Sequence, residues 1–214
     1  MSGMKNSAGK PVLLKMVAAI QQNKDYLSEV DGLIGDGDHG MNMNKGFTMF
    51  GEQIRDKDIS FSGGLNDLGN VLFSQIGGSM GPIYGTIFMS MAEAGEKVEE
   101  IELDTFAAML AAGLSGLQEV VEAQVGDKTL IDTLAPANDV IQKWAKEGKG
   151  FAEALNAMKA AAEAGRDSTK DLAAKFGRSS RLGERSRGVL DAGSVSCCLI
   201  LCAMADGILE QTGV

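Results

Sequence analysis

Aromatic side chains and proline are scarce in this sequence. Aromatic residues make up 5% of the 214 positions although the hydrophobic share is 44%, and there are 3 prolines against 28 glycines and 12 methionines. Alanine, leucine, methionine and valine must therefore supply most of the core. This composition favours a helical protein with glycine-rich connections, and the length favours a single domain over residues 1–214.

The sequence also lacks a cluster of basic residues. It has 20 Lys and Arg against 29 Asp and Glu, which gives a net charge of −9. Because nucleic-acid binding needs a basic face that neutralises phosphates, this balance argues against a nucleic-acid partner. An acidic protein can still bind a polyphosphate when metal ions mediate the contact.

Cysteines and long apolar runs are few. The three cysteines, Cys197, Cys198 and Cys202, form an odd cluster that suits neither a disulfide framework nor a structural zinc site. They are predicted to be reduced core residues. The longest apolar run, residues 197–204, is too short to span a bilayer, and the first residues contain no cleavable apolar segment. We therefore expect a cytoplasmic protein without a membrane segment.

What the sequence does contain is apolar residues at helical spacing along most of its length. No stretch shows a sustained alternation of apolar and polar residues, so we expect no sheet. The predicted fold class is all-α, with about eight helices at residues 11–30, 39–56, 65–76, 83–98, 103–124, 126–144, 151–176 and 194–210.

Four polar, glycine-bearing segments interrupt this pattern. They are residues 31–40, 77–85, 126–129 and 177–193. In an antiparallel bundle alternate connections lie at the same end, so these four segments are expected to meet at one rim.

The first interruption gathers three carboxylates and the single histidine within ten residues. If the preceding helix ends near Asp31, the glycines that follow permit a tight turn on which Asp31, Asp36 and Asp38 converge. Clustered carboxylates repel one another unless cations hold them, and hard oxygen ligands suit Mg²⁺ or Ca²⁺. The turn therefore predicts a divalent metal site.

Other readings of these loops fit less well or stay open. Counted from Asp31, Leu33 and Asn42 occupy ligand positions of an EF-hand, so that pattern fails. The segment GDKT is not a Walker A loop, because Asp127 is inserted and the upstream glycine is missing. Glycine-flanked aspartates also form turns and N-caps, and a lone histidine at a helix start is often structural, so a purely structural turn remains an alternative.

The residues after Asp38 add an anion site to the hypothesis. His39, Gly40 and Asn42 would occupy the first turn of the next helix, where free backbone N–H groups and the helix dipole favour an anion. Carboxylates followed directly by a helix N-terminus suit a metal–phosphate complex.

This string, D-x4-D-x-D-H-G-x-N-M, resembles the ADP-binding L subunit of phosphotransferase-system-dependent dihydroxyacetone kinase. The same domain forms the nucleotide-binding half of ATP-dependent dihydroxyacetone kinases. Further motifs similar to those of the family follow in order across essentially the whole chain: GGSMGPIYG at 77–85, GDKTLID at 126–132, GRSSRLGERSRG at 177–188 and DAG at 191–193.

The resemblance implies an antiparallel barrel of eight helices with a nucleotide, ADP or ATP, at one rim. Asp31, Asp36 and Asp38 would bind two Mg²⁺ ions that bridge to its phosphates. The nucleotide itself would be contacted by His39, Gly40, Met41, Asn42, Ser79, Met80, Leu130, Arg178, Asp191, Ala192 and Gly193.

The resemblance also implies an enzyme that works with partners. A separate K subunit would hold dihydroxyacetone, and a phospho-histidine donor subunit of the phosphotransferase system would rephosphorylate the bound ADP at the expense of phosphoenolpyruvate. No side chain of this chain is assigned a catalytic role. The oligomeric state stays open, with a homodimer as one alternative.

Three positions depart from the family's usual motifs. Met80 replaces a small polar residue, Ala192 replaces a proline, and Val121 replaces a glycine that contacts nucleotide. These departures leave room for an ATP-exchanging kinase subunit that serves another small ketose. A nucleotide-dependent interaction module without catalysis is a second alternative. The metal motif is intact.

Overall fold

The protein is almost entirely helical, which confirms the predicted fold class. The computed structural model describes residues 3–213, and this part of the chain holds nine α-helices. Their bounds are α1 Lys10–Gln22, α2 Lys24–Ile34, α3 His39–Ile54, α4 Phe61–Gln75, α5 Met80–Gly95, α6 Leu103–Val120, α7 Ile131–Lys146, α8 Phe151–Ser168 and α9 Ala192–Thr212. Short 3-10 helices lie at Asn6–Ala8, Thr169–Asp171 and Arg178–Ser186.

The prediction of one helix over residues 11–30 is wrong, because Asn23 divides it into α1 and α2. The Asn23 side chain donates to the carbonyl oxygen of Ala19 (2.8 Å). Asparagine competes in this way with the backbone bonds that would continue a helix. The second of the two helices then runs on to Ile34, so Asp31 lies in the last turn of a helix.

The expectation of no sheet is also wrong in one small place. Strand β1, Met4–Lys5, pairs antiparallel with strand β2, Glu100–Ile101. Two-residue strands are too short to produce an alternating pattern, so this pairing could not be predicted from the sequence.

Three other predicted helices run well past those observed, and the first of them, predicted over residues 103–124, ends at Val120. Residues 126–130 do not belong to α7, since Gly126 (φ +97°) and Lys128 (φ +62°) adopt left-handed backbone conformations that a helix does not contain. The alanine-rich pattern of α8 continues to Ala174, but the helix ends at Ser168. There the Thr169 carbonyl oxygen accepts a hydrogen bond from Lys128 instead.

Helices that follow one another in sequence pack side by side from α3 to α9. The series closes on itself, because α9 packs on α1, and α1 and α2 both pack on α3. One continuous core lies between the helices, and it contains an edge-to-face contact of Phe47 with Phe88 and a stacked contact of Tyr84 with Phe88. Odd-numbered helices from α3 onward therefore begin at the same end of the molecule.

Helix α9 is long and apolar enough to cross a membrane by length and composition alone. Most of its apolar window, 72%, is buried inside the protein. This burial is typical of the core helix of a globular fold.

Candidate functional site

All four glycine-bearing segments line one cavity of about 900 Å³. The walls include residues from the aspartate turn, from the loop before α5, from the connection between α6 and α7, and from the segment that leads into α9. The structure thus places the four segments at one end of the helices, as the sequence analysis expected.

The three aspartates of the first turn form the acidic side of this cavity. Asp31 comes from the last turn of α2, while Asp36 and Asp38 come from the turn before α3. One carboxylate oxygen of each lies within 4.8 Å of the other two. Gly37 (φ +77°) supplies the left-handed backbone that bends the chain between Asp36 and Asp38.

This donor set fits magnesium chemically. Oxygens that share one octahedral Mg²⁺ are about 3–4 Å apart, and carboxylates that bridge two ions span somewhat more. Three mutually close carboxylates at the mouth of a cavity meet that requirement with small side-chain adjustments. The carboxylates also leave room for water or phosphate oxygens to complete the coordination.

Four helix N-termini face the same cavity. The first residues of α3, α5, α7 and α9, namely His39, Met80, Ile131 and Ala192, all lie in its wall. The N-cap residues of α3 and α5, Asp38 and Ser79, make no side-chain capping bond. Apart from the N–H of His39, which donates to Asp31, the backbone N–H groups of those first turns are therefore available to an anion, and the helix dipoles add partial positive charge.

His39 is fixed beside the aspartates by a chain of buried hydrogen bonds. Its Nε2 lies 2.8 Å from the hydroxyl of Ser196, which lies 2.7 Å from the hydroxyl of Tyr84. Its backbone N–H donates to Asp31 Oδ2 at 3.3 Å. Burial lowers the pKa of His39 to about 4, so the imidazole is neutral at pH 7. It therefore adds hydrogen-bonding capacity rather than positive charge.

Asp191 caps the helix that begins on the opposite wall. Its Oδ2 accepts from the backbone N–H of Ser194 at 2.7 Å, which makes it the N-cap of α9. Burial raises the pKa of this carboxyl to about 6. Asp191 is thus held in a conformation set by the helix.

Arg178 links the segment before α9 to the aspartate turn. Its guanidinium forms an ion pair with Asp36, and Phe176, Gly177 and Ser179 line the cavity beside it. The side chain of Arg178 is 63% exposed, so it stays accessible at the mouth.

Most residues proposed from the resemblance lie in the cavity wall. Two do not: Gly40 is buried between α2 and α3, and Met41 is 57% exposed outside the cavity. Val121 does line it. Those in the wall are Asp31, Asp36, Asp38, His39, Asn42, Ser79, Met80, Leu130, Arg178, Asp191, Ala192 and Gly193.

Other residues of the wall were not singled out by the sequence analysis. Lys128, Phe176 and Tyr84 are examples. Each stands in or next to a glycine-bearing motif, which is the only sequence signal that could have found them. Their burial and their partners depend on segments that are distant in sequence.

The comparisons with known proteins identify the family of this chain. The DAK2 domain family matches residues 33–206, a span that contains the last part of the aspartate turn and the three other cavity segments. The chain belongs to the DAK2 domain family. This result confirms the resemblance drawn from the motifs.

Relatives of this DAK2 chain include subunits of kinases. It is 36% identical over 194 residues to the PEP-dependent dihydroxyacetone kinase 2, ADP-binding subunit DhaL of Listeria innocua, covering 89% of each chain. It is also 36% identical over 184 residues to the PEP-dependent dihydroxyacetone kinase, ADP-binding subunit DhaL of Escherichia coli K12, covering 85% of this chain and 87% of that one.

A solved structure shows the same DAK2 fold inside a larger enzyme. The dihydroxyacetone kinase of C. freundii, solved in complex with AMP-PNP and Mg²⁺, superposes with a TM-score of 0.69 at 20% sequence identity. The match covers 96% of this chain but 35% of that kinase. At this identity the likeness establishes the fold.

Proposed function

We propose that this chain is the nucleotide-bearing subunit of a dihydroxyacetone kinase and holds ADP with Mg²⁺ in the cavity. A donor subunit of the phosphotransferase system would phosphorylate the bound ADP, and the phosphoryl group would then pass to dihydroxyacetone held on a K subunit. The observation that carries this proposal is the convergence of three carboxylates and four helix N-termini on one cavity.

The negative carboxylates suit the metal ions of a metal–diphosphate complex, and the partly positive helix N-termini suit its phosphates. Asp31, Asp36 and Asp38 would hold two Mg²⁺ ions, and bound Mg²⁺ would neutralise phosphate charge and orient the terminal phosphate. The open first turns of α3 and α5 would hold phosphate oxygens through backbone N–H groups.

The chain's own residues would position the nucleotide rather than react with it. Apolar wall residues such as Met80, Val121 and Leu130 would exclude water from the cavity. Phosphoryl transfer depends mainly on positioning and charge neutralisation, so the absence of an assigned general base on this chain is consistent with the proposal.

Exposed apolar residues near the mouth of the cavity are consistent with a partner protein that docks there. Several large apolar side chains are exposed in the segments that surround the mouth: Leu33 (62%), Met41 (57%), Val120 (59%), Val125 (60%) and Phe176 (38%). Exposed apolar side chains that gather in one region mark surfaces that other proteins cover, and these five belong to segments next to the cavity. A K subunit that presents its sugar at the mouth would cover them, and a cytoplasmic location is part of the same proposal.

Asp36→Asn tests the metal assignment. We expect it to weaken Mg²⁺-dependent ADP binding by about a hundredfold or more, since changes to residues that merely support metal ligands already cost about 10–100-fold. Binding is measured by titration with a fluorescent ADP analogue, and retained nucleotide by chromatography of the purified protein. Asp58→Asn, an exposed aspartate after α3, is the matched control and should leave binding unchanged. Unchanged binding in Asp36→Asn would show that the cluster does not hold the metal.

The route of phosphorylation separates this proposal from its alternatives. With phosphoenolpyruvate, the general phosphotransferase proteins, the donor subunit and a K subunit, bound ADP should turn over without leaving the chain. Rapid exchange of bound ADP with free ATP would favour an ATP-dependent kinase subunit for another ketose. Nucleotide binding without transfer to any K subunit would favour a non-catalytic interaction module.

A further inference from the structure

Lys128 occupies a position that is unfavourable for a lysine in two respects. Its side chain is 1% exposed, and its backbone φ of +62° lies in the left-handed region, where no other non-glycine residue among 3–213 is found. A buried ammonium lowers stability unless hydrogen bonds compensate it. Burial accordingly lowers the pKa of Lys128.

The compensation comes from two carbonyl groups that are twenty residues apart. Lys128 Nζ donates to the carbonyl oxygens of Thr169 and Val189, at 2.5 Å each. These residues are the two ends of the segment 169–189, which we call the arginine loop. Lys128 thus joins both ends of the arginine loop to the connection that precedes α7.

Backbone contacts at the same place show that the arginine loop closes there. The N–H of Gly188 donates to the Lys170 carbonyl oxygen at 2.7 Å. The N–H of Asp191 donates to the hydroxyl of Thr169 at 3.0 Å. Lys128 lies under this closure with its charge near Asp191 and Asp132.

The arginine loop needs such a fixed base because its own backbone is permissive. Gly177, Gly183 and Gly188 all have positive φ, and most of its residues are exposed. The middle of the loop reaches the cavity mouth, where Arg178 forms an ion pair with Asp36. How the ends of the loop are held therefore contributes to the orientation of Arg178, together with the ion pair of Lys175 with Asp127 (2.6 Å).

We propose that Lys128 is a positioning residue that holds the arginine loop over the bound nucleotide through its bonds to Thr169 and Val189. This inference rests on the proposed function, in which Arg178 and the aspartate cluster face the phosphates. Lys128 touches neither reacting group; it controls how long the nucleotide stays by fixing Arg178 at the mouth.

The test is a double-mutant cycle on nucleotide release. Lys128→Met and Arg178→Met should each speed release of the fluorescent ADP analogue, with Mg²⁺ present, by about tenfold, the effect of losing one charge-assisted contact. Both substitutions remove the hold of Arg178 on the cavity mouth. The double variant should therefore release the ADP analogue no more than about twofold faster than either single variant. A merely structural role would instead give independent effects that multiply to about a hundredfold, and that result would overturn the proposal.

Tryptic cleavage within residues 178–187 provides a readout that needs no nucleotide. Lys128→Met should be cut there much faster than the unchanged protein. The matched control Lys170→Met removes a positive charge from the same loop at an exposed position and should not be cut faster. Equal cleavage in Lys128→Met and the unchanged protein would contradict the proposal.

These measurements also separate this inference from the proposed function. If the unchanged protein binds no ADP with Mg²⁺, the proposed function is wrong, and the inference about nucleotide release is overturned with it. If it binds ADP but the substitutions act independently, only the role of Lys128 is wrong. Should Lys128→Met fail to fold, Lys128→Gln replaces it, since its amide can donate to one of the two carbonyls.

Discussion

At the scale of single residues, the cavity holds ionisable groups whose pKa values are shifted in opposite directions by burial. The pKa of His39 is lowered to about 4 and that of Asp191 is raised to about 6. Both shifts favour the neutral form of the side chain, as expected where solvent is excluded. Burial in the cavity wall therefore makes both of these side chains neutral over a wider pH range than in water.

The raised pKa of Asp191 predicts how the stability of the protein depends on pH. Because its pKa is higher in the folded protein than in the unfolded chain, the folded state binds more protons between about pH 4 and 6, and the free energy of unfolding falls as the pH rises through that window. Asp191→Asn keeps an N-cap acceptor but does not titrate. We expect it to raise the free energy of unfolding at pH 8 by about 1–3 kcal/mol and to have no such effect below about pH 4.

Urea unfolding of the metal-free protein at several pH values measures this difference. A loss of stability in Asp191→Asn at pH 8 that is the same at pH 4 would contradict the prediction. It would mean that the titration of Asp191 does not control stability in this pH range.

At the scale of elements, the aspartate cluster depends on how closely α2 approaches α3. The two helices meet at Gly40, where an added Cβ would lie 1.9 Å from the carbonyl oxygen of Lys24 and 2.7 Å from the backbone nitrogen of Ser28. Since Asp31 comes from α2 and Asp38 precedes α3, this approach sets the spacing of the carboxylates.

Gly40→Ala tests that dependence. Backbone atoms cannot move aside as a flexible side chain can, so we expect the free energy of unfolding to fall by about 2–3 kcal/mol and Mg²⁺ binding to weaken. Gly77→Ala is the matched control for stability, because no atom lies within 4 Å of its added Cβ. Urea unfolding and Mg²⁺ titration measure both effects, and a fully stable Gly40→Ala variant would show that α2 can shift without cost.

At the scale of the whole molecule, a set of stabilising hydrogen bonds around Asn6 lies at the opposite end of α5 from the cavity. Asn6 is 5% exposed, and its amide donates to the carbonyl oxygens of Gly95 and Val98 while its oxygen accepts from the N–H of Ser62 at 3.0 Å. These contacts tie the start of the chain to the end of α5. The other end of α5, at Met80, lines the cavity about 22 Å away at 1.5 Å per residue.

Asn6→Ala should therefore separate stability from binding. Several buried backbone groups would lose their partner, so the free energy of unfolding should fall by about 2–4 kcal/mol, while ADP affinity at a temperature where the protein is folded should stay the same. Asn156→Ala, which removes an exposed amide from α8, is the control for stability. A large loss of affinity in Asn6→Ala would show that the two ends are coupled.

Local patterns accounted for much of the fold and part of the site. The helical period reflects interactions between residues three or four apart, so the helices and the glycine-bearing turns between them were visible in the sequence. The aspartate turn was visible for the same reason, because its three carboxylates lie within eight residues. The errors fell at Asn23, at the GDKT connection, at the ends of α6 and α8, and at the pair of two-residue strands.

The sequence by itself determined that this protein is helical and that Asp31, Asp36 and Asp38 lie close together at one glycine-rich connection between helices. Only the tertiary structure decided that α8 stops at Ser168 and that a lysine is buried beneath the arginine loop. Lys128 bonds to carbonyls 41 and 61 residues away. Such contacts exist only once distant helices have packed, because burial and partners depend on the whole fold rather than on neighbouring residues.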